Sequence, residues 1–78
     1  MQIYFDTTLV VGDDDFEIDV SVQAEIETCG RRRSVGDITL YSRTTNSRLT
    51  GVEKYLSEFH WNNLRDEAIY NYDNDYAE

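Results

Sequence analysis

The 78-residue chain has no proline, one cysteine, one histidine and four glycines, and each shortage excludes something. With Cys29 alone there is no internal disulfide and no cysteine-based metal cage, which suits a reducing compartment. Gly12, Gly30, Gly36 and Gly51 stand apart from one another, so no glycine-rich loop is present to cradle a phosphate, and nucleotide binding is disfavoured. No apolar run approaches the roughly 18 residues of a membrane-spanning helix. The opening MQIYFDTTLVV lacks the basic-then-apolar pattern of a secretion signal. A soluble, cytosolic protein is expected. Basic residues are scarce as well. Residues 1–30 hold eight acids and no base, residues 31–48 hold five arginines and Asp37, and residues 49–78 hold seven acids against Lys54 and Arg65. The net charge of −9 repels nucleic acid and anionic membrane and favours partners with basic faces.

What the chain does have is hydrophobic patterning. It is 40% hydrophobic and 13% aromatic, too rich for a disordered chain at this charge and sufficient for one small domain. From Asp13 to Glu27, DDDFEIDVSVQAEIE alternates: Phe16, Ile18, Val20, Val22, Ala24 and Ile26 fall on one face, and Glu17, Asp19, Ser21, Gln23, Glu25 and Glu27 on the other. Such alternation is a strand with one dry and one wet face. Upstream, Ile3, Phe5, Leu9 and Val11 share one phase with Thr7 between them, and Gly12 to Asp15 supplies turn residues, so the first two strands form a hairpin. A second break at residues 29–34 precedes a third strand over residues 35–42, with Ile38 and Leu40 pointing inward.

The expected fold is α+β, a three-stranded antiparallel meander in residues 1–42 covered on one face by a helical segment in residues 50–72. Thr50-Gly51-Val52-Glu53 fits a capping box that starts a helix at Gly51, with Val52, Leu56 and Phe59 as its inner stripe. Trp61, Leu64, Ala68 and Tyr72 would lie almost opposite that stripe on a straight helix. The pattern therefore predicts a break near residues 60–63, with Asn62 or Asn63 capping a second helix. The acidic residues 73–78 are expected to fray.

No cofactor, metal or catalytic constellation emerges. Cys29 and His60 are the single members of their types and have no third orienting group, and His60 reads as a packing or capping residue. Asp13-Asp14-Asp15 and Asp73-Asn74-Asp75 lack the spacing of a calcium loop. Arg31, Arg32, Arg33, Arg43 and Arg48 are expected to pair with acids on neighbouring strands rather than to bind nucleic acid. The basic block also offers a complement to the acidic hairpin of another copy. Alternate carboxylates on a strand stand about 6.6 Å apart, roughly twice the charge spacing of about 3.4 Å along one DNA strand. Asp6, Asp13, Asp14, Asp15, Glu17, Asp19, Glu25 and Glu27 thus form the candidate partner-binding row. Tyr70, Tyr72, Asp73, Asp75 and Tyr76 form a secondary docking segment, alternating aromatics and acids.

Taken together, DFEIDVSVQAEIE followed by LTGVEKYLSEFHWNNLRDEAIYNYDND resembles small acidic proteins encoded by bacteriophages and prophages, among them anti-restriction proteins, anti-CRISPR proteins and other inhibitors of host enzymes. The resemblance implies a non-enzymatic protein in the cytoplasm of a bacterial host, which binds a basic nucleic-acid-handling protein or defence complex, in some cases as a DNA mimic. The alternative is an assembly protein that acts through self-association, most simply as a homodimer.

Overall fold

A computed structural model describes residues 1–76. Three strands, β1 (Gln2–Val11), β2 (Phe16–Cys29) and β3 (Arg32–Ser42), form an antiparallel meander in the order β1-β2-β3. The first turn depends on two residues with positive φ, Gly12 at 77° and Asp15 at 52°. These geometries suit glycine and aspartate and close the hairpin so that Val11 faces Phe16. The second turn is tighter than the break read from the sequence. Only Gly30 and Arg31 lie outside the strands, and β3 begins at Arg32, three residues earlier than expected.

The alternation of β2 sorts as expected along most of its length: Val20, Val22, Ala24 and Ile26 are buried, while Ser21, Gln23 and Glu25 are only partly covered. In β3, Val35 is out of phase with Ile38 and Leu40, yet all three meet the core. The register shifts between Ala24, opposite Ile38, and Ile26, opposite Val35, so β3 carries one extra residue there. That bulge restores the inward phase. Phe16 departs from its expected place in the core. It is 65% exposed, because the cover ends before the strand does.

That cover is built differently from the sequence expectation. Thr50 and Gly51 are not helical, and residues 53–55 make only one 3₁₀ turn, which ends where Leu56 adopts an extended conformation. The α-helix α1 (Glu58–Asn71) starts after Ser57, whose capping box with His60 takes the role expected of Thr50 and Glu53. The helix runs unbroken through residues 60–63, so neither Asn62 nor Asn63 is a cap, and it continues as a π turn, Tyr72–Tyr76. Residues 73–76 are therefore ordered helix rather than a frayed tail. Ala77 and Glu78 lie outside the described residues.

Moving the interruption to Leu56 and Ser57 resolves the conflict between the two stripes. Val52 and Leu56 reach the core from the connection, α1 turns Trp61, Leu64 and Ala68 toward the sheet, and the π turn adds Tyr72. Leu64 packs among Leu9, Val11, Val20, Val22 and Leu40. Ala68 sits with Ile3, Ala24 and Ile26, where two alanines let helix and sheet approach closely. Phe59, expected inside, is 70% exposed. Leu64→Ala is expected to cost about 2–5 kcal/mol in urea unfolding, whereas Phe59→Ala should stay within about 0.5 kcal/mol. The opposite ranking would place the helix on its other face.

Candidate functional site

Because α1 and the connection cover one face of the sheet, the pleat puts the acids of β2 on the other. Glu17, Asp19, Glu25 and Glu27 stand on this open face, with Ser21 and Gln23 between the two pairs. Asp6 of β1 lies directly opposite Ser21 and accepts its hydroxyl hydrogen at 2.7 Å, so the row steps onto the neighbouring strand where β2 has no acid. Asp13, Asp14 and Asp15 extend it around the exposed hairpin turn. The gap near Gln23 is a shallow depression lined in part by Tyr4, Asp6 and Tyr41, where the Tyr41 hydroxyl donates to Gln23 at 3.1 Å.

The row is partly compensated, which its local sequence did not reveal. The Arg43 guanidinium reaches across β2 to Asp19 at 2.8 Å and also donates to the Thr7 carbonyl and the Thr8 hydroxyl; Thr8 in turn donates to Asp19 at 2.7 Å. Glu25 meets the N-terminal ammonium at 3.2 Å. Both pairs are substantially solvent-exposed, so each contributes only about 0–1 kcal/mol. Among the described residues, Glu17, Glu27 and the three turn aspartates form no ion pair. The face thus concentrates its negative charge at the hairpin end, while at the other end Glu27 shares the open face with Arg32, which lies opposite Cys29.

The basic block divides. Arg43 pairs across strands as expected, but Arg33 pairs with the end of the helical segment, its Nε 2.9 Å from Asp73 and its guanidinium 5.9 Å from the centre of the Tyr72 ring. The Tyr76 hydroxyl donates to the Tyr4 carbonyl at 3.3 Å and accepts the Tyr4 backbone N–H at 3.4 Å. Tyr72, Asp73 and Tyr76 therefore fasten the helix end to the sheet. Of the secondary docking segment, Tyr70 and Asp75 remain exposed without such a role.

His60 and Cys29 are separated by nearly the whole sheet. Cys29 ends β2 beside the second turn, whereas His60 bonds to Val10, which faces Glu17 near the first. Twelve strand residues at about 3.3 Å each put those ends roughly 40 Å apart. The ring of His60 is fully engaged. Its Nδ1 accepts the Ser57 backbone N–H at 3.0 Å, which puts the proton on Nε2 for donation to the Val10 carbonyl at 2.7 Å. Its role is that of a capping residue that also ties α1 to the edge of β1. Among the described residues no group of three His, Cys, Asp or Glu side chains is placed to hold a metal ion, and no helix is long and apolar enough to cross a membrane.

At the hairpin end of the covered face lies an open groove of about 770 Å³, with Val11, Ile18, Leu49 and Val52 in its lining and the largely exposed Phe16 and Tyr55 beside them. Asp13 and Asp14 from the turn, and Arg48 and Lys54 from the connection, also line it. Sequence reasoning missed this groove, because it places the apolar members in a core strand and a helix. The groove arises from length, since a 14-residue strand outruns a 14-residue helix.

No family model, curated protein or solved structure matches this chain.

The double role of His60 makes a test of this local geometry. His60→Ala is expected to lose about 1–2 kcal/mol in urea unfolding, from one helix cap and one edge hydrogen bond. His60→Gln, which retains an acceptor at the third helical position, should lose less. Stability unchanged in His60→Ala would mean that the cap does not hold the helix start.

Proposed function

We propose that the protein is a non-enzymatic binding protein that occupies the basic surface of a nucleic-acid-handling partner, with the open face of the sheet as its contact. The observation that carries this is the segregation of charge. One face of the meander is given over to the core, and the other presents Asp6, Glu17, Asp19, Glu25 and Glu27, continued by the turn aspartates, against Arg43, Arg32 and the N-terminal ammonium. Exposed carboxylates on a rigid sheet can meet a phosphate-binding surface without a folding cost at the moment of binding. Attraction between opposite fields makes capture fast and salt-sensitive.

The resemblance to phage-encoded accessory proteins supports a bacterial host defence or nucleic-acid-processing protein as the target, and the host cytoplasm as the place of action. The carboxylates do not form an even line, because Ser21 and Gln23 interrupt it and Arg43 pairs with Asp19. Imitation of nucleic acid is therefore one of charge density, highest at the hairpin end, rather than of regular phosphate spacing.

The test is recovery of the tagged protein from host cells, identification of what it binds, and competition by nucleic acid for the same partner. Reversal of Glu17, Glu25 and Glu27 to lysine is expected to weaken that binding by roughly a hundredfold or more. The same change of net charge at Glu58, Asp66 and Asp75, on the helical side, should act only through screened long-range steering over about 10 Å at 0.1 M salt. Equal losses from the two triple variants would show that total charge alone matters, and a partner that does not handle nucleic acid would refute the proposal.

A further inference from the structure

The groove at the hairpin end opens on the covered side of the sheet, shares Asp13 and Asp14 with the acidic row, and carries a different pattern. Its lining joins an apolar surface to charges of both signs, Asp13 and Asp14 on the turn and Arg48 and Lys54 on the connection. Among the described residues none of these four forms an ion pair, so acids and bases border one cleft without neutralising each other. Phe16 and Tyr55 beside them are 65% and 69% exposed. Two large aromatic rings left in water within one small cleft mark a surface that gains by being covered.

The charge pattern selects the occupant. A uniformly basic partner would be repelled by Arg48 and Lys54, and a uniformly acidic one by Asp13 and Asp14. A second copy of this chain meets both requirements. With the acids on the turn and the bases on the connection, a two-fold axis along the groove would set the acidic residues of each copy against the basic residues of the other and bring Phe16 and Tyr55 of both copies together. We propose that the groove is the interface of a symmetric homodimer, held by contact among these aromatics and by reciprocal pairing of Asp13 and Asp14 with Arg48 and Lys54 across the axis. This interface shares Asp13 and Asp14 with the acidic row, but its test, the oligomeric state of the chain alone, is independent of any basic partner.

The experiment is sedimentation equilibrium on the full chain, with circular dichroism to confirm the fold of each variant. The wild-type chain is expected to give twice its 9.1 kDa mass. The double variant Asp13→Lys/Asp14→Lys and the double variant Arg48→Glu/Lys54→Glu should each be monomeric, because like charges then face each other across the axis. Mixed in equal amounts, the two should recover the dimeric mass as a heterodimer, a result that general charge repulsion would not produce. Phe16→Ser, at a position already exposed to water, leaves the fold intact and should weaken association about tenfold or more. A wild-type chain that stays monomeric at its highest soluble concentration would overturn the proposal, as would a dimer that survives both double variants or is unaffected by Phe16→Ser.

Discussion

The structure turns on the mismatch between a long sheet and a short cover. The fourteen-residue strand β2 runs nearly the full 41 Å length of the molecule, whereas fourteen residues of α-helix span about 21 Å. No single placement of α1 can bury the whole apolar face of β2. Two segments therefore share the cover. Helix α1 supplies Leu64 and Ala68 to the middle and far parts of the sheet, and the connection supplies Leu49, Val52 and Leu56 near the hairpin. The interruption at Leu56 and Ser57 follows from this division, because the two parts approach the core from different directions.

The same constraint explains the two surfaces with functional potential. Only one face of the meander has cover, so β2 turns its carboxylates to the other, and the charge asymmetry of the sequence becomes a spatial one. Where the cover stops short of the hairpin, Phe16 is left at the lip of an apolar groove. Small polar contacts then fix the position of α1 on the sheet. His60 ties its start to the carbonyl of Val10, Thr7 donates to Glu67 at its middle, and Tyr76 and Asp73 hold its end to Tyr4 and Arg33.

The sheet was legible because strand periodicity is strict. In β1 and β2 each inward residue is followed by an outward one, and the glycine and aspartates between them make a recognisable turn. The helix was harder to read. Phe59 and Tyr70 lie exposed on α1 and blur the stripe of Trp61, Leu64, Ala68 and Tyr72, while Thr50 and Glu53 imitate the capping box that Ser57 and His60 form one short step later. The acids of the candidate row on β2 were all identifiable from their phase in that strand. That Arg43 pairs across strands was legible too, but not that its partner is Asp19, because that depends on how β3 lies beside β2 after a bulge that no single residue announces. The groove escaped for a related reason: each of its apolar residues has an ordinary explanation within its own segment, and only the assembled chain shows that the cover ends before they do.

Native-state amide hydrogen exchange tests the divided cover most directly, since it reports which backbone hydrogen bonds open only with global unfolding. With the cover divided at Leu56 and Ser57, β2 and the helix from Trp61 through Asn71 are expected to form one cooperatively protected unit, with rapid exchange at Gly51 and Val52, ahead of the 3₁₀ turn. Continuous protection from Gly51 through Phe59, followed by fast exchange between His60 and Asn63, would contradict this division and return the interruption to the middle of the helix.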